Sequence, residues 1–261
     1  MRIFCKQQRL MMIDFHIHNQ GKSIKDVAYM VERAEGLDVK HMVNLGDVLA
    51  HGFVPDKQQV REINDWTIEI SRHFPKAITG FMFLNPDNSA ESVLDEIKRC
   101  VDAGLKGIKM EASLNARDAK MSTTVEAAIE LDLPFLQHCW NKSSNMLERE
   151  SDSSDVAFLA AKYPELKLII PHLTGIGIRG VMDLAPYKNV YIDTSGGQPE
   201  AGLVEYAVKI IGAERVLFGS DVYGVRGRDQ ACQLGRIIYA DITDADKEKI
   251  LYSNAKELLK L

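Results

Sequence analysis

Two histidines spaced two residues apart, His16 and His18, end an apolar run near the start of the chain, MIDFHIH. On an extended strand, residues i and i+2 share a face, so both imidazoles can serve one cation. Further on, His138 follows LPFLQ, His172 follows KLIIP and Asp221 follows VLFGS. Lys109 and Glu111 repeat the i, i+2 spacing in KGIKMEA. Each run delivers a polar group to the edge of an otherwise apolar interior. Buried polar groups need partners, and a metal ion satisfies several at once. Neutral imidazole nitrogens with a carboxylate suit zinc, and also manganese, nickel or ferrous iron. One histidine in such a place is ordinarily structural, but the same placement repeated on several strand ends is hard to assign to chance. His16, His18, Glu111, His138, His172 and Asp221 are therefore the candidate ligands for one or two divalent ions, zinc foremost. Lys109 either bridges two ions after carboxylation by CO₂ or remains a cation that neutralises nearby carboxylates.

The elements that must position these groups are legible as eight short apolar runs, at 12–18, 40–46, 78–85, 106–112, 133–139, 167–173, 190–195 and 216–221. They are rich in Val, Ile, Leu and Phe, and each precedes a segment of helical periodicity, as buried parallel strands do. Thr123 with Glu126 fits a capping box, Asn88 with Glu91 is a weaker one, and Asp244 can cap the last helix. Gly36 and Gly104 stand where helices should stop. No linker or charge block divides the chain, and its 261 residues match one α/β barrel. The fold expected is a single (β/α)₈ TIM barrel over residues 12–261, with residues 1–11 an extension outside it. An open doubly wound sheet is the other arrangement of such units. In a barrel, the C-terminal strand ends that carry the polar groups line the active site.

A net charge of −5 argues against a nucleic-acid groove, which needs clustered cations, and leaves a small-molecule substrate as the expected partner. No apolar run is long enough to span a membrane. Cys5, Cys100, Cys139 and Cys232 are too irregularly spaced for a disulfide framework, which suggests free thiols and a cytoplasmic protein. Symmetry statistics favour a homodimer among oligomers. No glycine-rich phosphate loop is present in the sequence. Trp140, Asn141, Tyr223 and Arg226 lie in loops after strands and are the candidate substrate contacts. Arg226, with Arg228 in VYGVRGRD, could recognise a carboxylate or phosphate, or simply be solvated. Asp193 could orient a ligand histidine. His41, at a strand start, and His73, at a helix end, read as structural; His51 reads as a solvated loop residue.

The motifs IDFHIH, QHCW around His138, PHLTG around His172, GSDVYG around Asp221 and the closing ILYSNAKELLKL resemble the amidohydrolase superfamily, in its amidohydrolase-related (amidohydrolase-2) branch of metal-dependent hydrolases. The resemblance runs from about residue 12 to the end. It implies a barrel whose metal is held by His16, His18, His138 or His172, and Asp221. With two ions a strand-four carboxylate bridges them; with one, His172 can polarise the substrate or orient water. The branch often has lysine then histidine two positions later on strand four, where this chain has Lys109 then Glu111. That departure favours a bridging glutamate and weakens the analogy to members that decarboxylate aromatic acids. The function expected is hydrolysis of an amide, lactone or ester-like bond by metal-activated water, with Asp221 as general base then acid and His172 stabilising the oxyanion. The alternatives are non-oxidative decarboxylation of an unsaturated or aromatic acid, a metal phosphoesterase, and a barrel without catalysis.

Overall fold

The computed structural model describes residues 11–19, 23–197, 200–223 and 230–261. The strands are β1 (Met12–Ile17), β2 (Val39–Asn44), β3 (Ile78–Gly80), β4 (Met82–Leu84), β5 (Ile108–Met110), β6 (Phe135–Gln137), β7 (Leu168–Ile170), β8 (Val190–Asp193) and β9 (Val216–Leu217). The helices are α1 (Ile24–Gly36), α2 (Lys57–His73), α3 (Ala90–Asp102), α4 (Met121–Glu130), α5 (Ser153–Lys162), α6 (Leu173–Leu184), α7 (Leu203–Ile211), α8 (Gln230–Ile238), α9 (Asp244–Glu248) and α10 (Asn254–Leu259).

All strand pairs are parallel, in the orders β1-β2-β3 and β4-β5-β6-β7-β8-β9. Two seams join these sheets into one barrel. At the first, β3 and β4 are halves of the expected third strand. Phe81 N–H donates to Asn44 O at 2.9 Å, while Met82 N–H donates to Gly107 O at 2.8 Å, so the chain changes partner at Phe81. At the second, Phe15 N–H donates to Phe218 O at 2.7 Å, His18 N–H to Val222 O at 2.9 Å and Asp221 N–H to His16 O at 2.8 Å. The result is a closed (β/α)₈ barrel.

Ile13, Phe15, Val43, Leu45, Phe81, Leu136, Ile169 and Leu217 fill the interior, with Ala255, Leu258 and Leu259 of α10 packed on the same cluster. Asn254 at the start of α10 donates to Ala213 O and Val216 O, both at 2.8 Å, which places that helix at the N-terminal end of the strands. Burying these side chains contributes roughly 25 cal/mol for each Å² of apolar surface removed from water. A second, larger cluster lies between strands and helices and includes Met12, Ile17, Met42, Met82, Ile108 and Phe135.

Helix ends differ from the sequence expectation by one to three residues. Ser89, not Asn88, caps α3 by accepting from Ser92 N–H. α4 begins at Met121, so Thr123 lies inside it, and its N-cap residue Lys120 makes no side-chain cap. Thr243, not Asp244, caps α9. Gly104 follows α3 with φ +100°, whereas after α1 the left-handed residue is Asp38, φ 63°. Capping boxes form instead at Ser23, Asp56 and Asp152. Cys100, Cys139 and Cys232 are free thiols. Among the described residues no helix is long and apolar enough to cross a membrane. Of the expected extension 1–11, only Met11 lies within the described residues.

Candidate metal centre

β1 reaches the site through an irregularity. Its register against β2 shifts between Asp14 and Ile17. Ile13 and Phe15 belong to the inner cluster, but Ile17 packs in the outer one. The inward positions thus pass from odd to even residues, and His16 and His18 point into the mouth. Asp14 stabilises the shift. Its carboxylate accepts from His16 N–H at 3.1 Å, Ser220 N–H at 2.9 Å and the Gln230 amide at 2.6 Å. Complete burial pushes the Asp14 carboxyl up to about 6 despite those donors.

The tautomers of both histidines follow from their partners. His16 Nδ1 lies 2.8 Å from Asp193 Oδ2, and His18 Nδ1 lies 2.8 Å from the Gly46 carbonyl. Each acceptor requires Nδ1–H, which leaves a lone pair on each Nε2. The two Nε2 atoms are 3.1 Å apart. Asp221 Oδ1 lies 3.6 Å from His16 Nε2 and 3.7 Å from His18 Nε2, and Oδ2 lies 3.5 Å from His172 Nε2. Ligands of one ion with bonds of about 2.1 Å at tetrahedral angles stand about 3.4 Å apart. His16, His172 and Asp221 each offer an atom within 4.8 Å of the others. The donor set therefore fits a divalent ion. Burial, with the Lys109 charge adding to it, lowers the His18 imidazole to about 3, and burial holds His172 well below its ordinary value. Both rings are neutral at physiological pH, as ligands must be.

His172 and Asp221 both adopt left-handed backbone, φ 67° and 56°. Such a conformation costs a non-glycine residue about 1–2 kcal/mol. The surroundings hold them: His172 N–H donates to Ser195 Oγ at 3.1 Å and Asp193 Oδ1 at 3.3 Å, and Asp221 N–H donates to His16 O. Asp193 thereby fixes two histidines from one buried carboxylate. Burial opposes its charge, but His16 outweighs that and brings Asp193 down to about 2. His172 Nδ1 is buried and has no hydrogen-bond partner among the described residues.

Glu111, Lys109 and His138 form a neighbouring group. Lys109 Nζ lies 3.0 Å from Glu111 Oε2, and His138 Nδ1 lies 3.1 Å from Glu111 Oε1. Burial opposes the Glu111 charge, yet the Lys109 ammonium beside it helps hold this carboxyl well below the usual range. His138 Nε2 turns the other way, to Glu150 Oε1 at 2.9 Å. Nothing in the spacing of Glu150 singles it out in the sequence. Trp140 packs on His172, ring centroids 4.9 Å apart. Asn141 braces the loop: its amide donates to Ile176 O at 2.8 Å and its oxygen accepts from Ser153 N–H at 3.0 Å. Tyr223 is half-buried beyond Asp221. Arg226 and Arg228 lie outside the described residues. His41, expected to be structural, bonds Thr79 Oγ1 at 2.8 Å, and His51 pairs with Glu62 at 3.1 Å. A cleft of about 790 Å³ on the outer wall, between α2 and α3, is lined by Arg61, Asp65, Arg72, Arg99 and Asp102 but by none of the mouth residues.

A family profile described as Amidohydrolase, of the amidohydrolase-2 type, matches residues 13–261. The chain belongs to the amidohydrolase family. A comparison with curated proteins found no match. Among solved structures, this amidohydrolase-family barrel is similar to a 2,6-dihydroxybenzoate decarboxylase complexed with 2,6-dihydroxybenzoate, with TM-score 0.77, 19% identity, and 97% of this chain and 99% of that chain covered. It is also similar to a dihydroxybenzoic acid decarboxylase from Polaromonas sp. JS666 with bound manganese and the inhibitor 2-nitroresorcinol, with TM-score 0.71, 18% identity, and 95% and 96% covered. A third is a 4-oxalomesaconate hydratase from Rhodopseudomonas palustris, with TM-score 0.68, 16% identity, and 96% of each chain covered. At these identities the likeness is one of fold. Family, barrel and a His–His–Asp group able to hold a divalent ion together make this a metal-dependent enzyme of the amidohydrolase superfamily.

Proposed function

We propose that this amidohydrolase-family enzyme is a metal-dependent lyase that decarboxylates an aromatic or unsaturated acid without oxidation. The observation that carries this reading is the end-to-end likeness to a dihydroxybenzoate decarboxylase, over 97% of this chain and 99% of that one. His16, His18, His172 and Asp221 would hold the ion, whose chemistry is to place positive charge against substrate oxygens. Zinc and manganese both suit this donor set.

The chain's own groups supply the rest. The buried, unpartnered His172 Nδ1 is a donor for a substrate oxygen. Trp140, beside His172, offers an aromatic wall. As the bond to the carboxyl carbon breaks, its electron pair stays on the substrate carbon and CO₂ leaves. Asp221, with an oxygen within 3.7 Å of each of three imidazole nitrogens, is assigned the transfer of a proton from water to that carbon.

One observation favours a second reading, hydrolysis of an amide, lactone or ester-like bond. Glu111 follows β5 at the position where the branch often carries histidine, which weakens the analogy to decarboxylating members, and its carboxylate is buried beside His138. In that reading Asp221 takes a proton from water and passes it to the leaving group, while His172 Nδ1–H steadies the oxyanion.

Turnover in labelled water separates the two. A hydroxybenzoate panel and an ester and lactone panel are offered to the manganese- or zinc-loaded enzyme in D₂¹⁸O. Decarboxylation gives deuterium at the former carboxyl position and no ¹⁸O in the organic product. Incorporation of ¹⁸O into a product acid would replace the lyase reading with hydrolysis, and Asp221→Asn with near-parent turnover would overturn both mechanisms.

A further inference from the structure

Glu150 belongs to no helix or strand, yet its side chain is only 1% exposed. It lies on the irregular segment between β6 and α5, and three donors make four contacts with its two oxygens. His138 Nε2 is 2.9 Å from Oε1, Lys142 Nζ is 2.8 Å from each oxygen, and Leu147 N–H donates to Oε2 at 3.1 Å. The backbone is pinned as well, since Asn115 donates to Glu150 O at 3.1 Å. A buried carboxylate is a costly way to hold a loop, because its charge must be fully compensated. The question is what its charge does that an apolar residue could not.

The answer lies in the ring it holds. A carboxylate only accepts, so His138 Nε2 must carry the hydrogen in their bond. That leaves Nδ1 as the available nitrogen of His138. Nδ1 is buried, 3.1 Å from Glu111 Oε1, and not aligned for a hydrogen bond to it. Lys109 compensates the Glu111 carboxylate from its other oxygen at 3.0 Å, so Nδ1 and Oε1 stand as two lone-pair donors at nearly the spacing of two ligands of one ion. The same logic governs the other rings: Asp193 takes His16 Nδ1–H and Gly46 takes His18 Nδ1–H, each leaving one nitrogen open. Ligand histidines characteristically give their second N–H to such an acceptor, which fixes the tautomer and ring orientation.

We propose that Glu150 is a positioning residue: it holds His138 with Nε2 protonated and presents Nδ1, together with Glu111, as donors to a divalent cation beside the His16, His18 and Asp221 group. The inference rests on the metal-centre reading above and adds a residue and a tautomer to it. Lys142 balances the carboxylate from the rim, where it is 30% exposed, and does not touch the ring nitrogen that faces the site.

The test is zinc affinity by chelator competition, read on the zinc equivalent that His138→Ala removes. Glu150→Ala should weaken that equivalent by about 10–100-fold. Glu150→Gln keeps an oxygen that can accept from Nε2 and should restore most of the affinity. Lys142→Ala, which leaves the Glu150–His138 bond in place, should bind zinc as the parent does. Ring ¹⁵N spectra of the metal-free parent should show His138 protonated at Nε2 and bare at Nδ1, with Nδ1 shifting on zinc addition. If Glu150→Ala fails to fold, the spectra and Glu150→Gln decide. Parent-like zinc affinity in Glu150→Ala, no zinc equivalent dependent on His138, or a proton resident on Nδ1 alone would overturn the role of Glu150 while leaving the His16, His18 and Asp221 site standing. A parent that binds no zinc or manganese overturns both.

Discussion

His16 and His18 bring their Nε2 atoms to 3.1 Å of one another while each gives its Nδ1–H to an oxygen. Two lone pairs face each other in a buried pocket, with the Asp221 carboxylate beside them. Such a grouping offers its lone pairs and its carboxylate to one cation, which a divalent ion would satisfy.

Asp193 serves His16, His172 and Ser195 at once. Asp193→Ala should weaken zinc or manganese binding by about 10–100-fold, since the outer partner of a ligand histidine commonly contributes that much. Isothermal titration with the metal checks it. Unchanged affinity would mean that His16 is oriented by packing alone.

Asp14 holds the register shift that turns His16 inward. Asp14→Leu leaves His16 N–H and Ser220 N–H without their acceptor. Each buried donor left unpaired costs about 1–3 kcal/mol. The variant should melt well below the parent and lose metal, and a parent-like melting curve would contradict the role given to Asp14.

The sequence made some of this legible and hid the rest for physical reasons. All eight barrel strands stand out because a parallel strand covered on both faces is apolar throughout. The break at Phe81 does not, since a change of hydrogen-bond partner leaves no mark on side-chain type. Strict alternation from Ile13 and Phe15 would turn His16 and His18 outward with Asp14. Only the register shift reverses this, and pattern alone cannot place a shift. Asp193 is readable because it ends a strand, whereas Glu150 reaches His138, and Lys142 reaches Glu150, from irregular backbone that has no period. The acceptor for His18 is a backbone carbonyl, at Gly46, which no residue type announces.

Gly175 lets Trp140 lie against His172. A Cβ at Gly175 would stand 2.7–2.9 Å from three atoms of the indole, a rigid neighbour that cannot yield by rotating its far end. Gly175→Ala should displace Trp140 and cost about 1–3 kcal/mol of stability. Under the proposed reading it should also raise KM more than it lowers kcat. Steady-state kinetics with the substrate found by the panel would check this, and an unchanged KM would remove Trp140 from the substrate wall.

Glu96 lies outside the mouth and gives a pH-dependent stability term. Burial raises its carboxyl, but hydrogen bonds from Arg99 and Asn64 outweigh that and leave it below the ordinary value of 4.5. A carboxyl depressed in the folded state stabilises fully above its unfolded value, and the contribution is lost as pH falls through the folded one. The gap in melting temperature between the parent and Glu96→Gln should therefore be widest above about 4.5 and shrink in more acidic buffer. A gap that grows on acidification would contradict the sign.

His16, His18, His172 and Asp221 are proposed to hold a divalent ion together. Elemental analysis of protein purified without chelators or a metal-affinity column, repeated on His16→Ala, tests it most directly. The parent should carry at least one equivalent of zinc or manganese per chain, and the variant far less. Equal metal content in the two, or none in the parent after reconstitution, would contradict it.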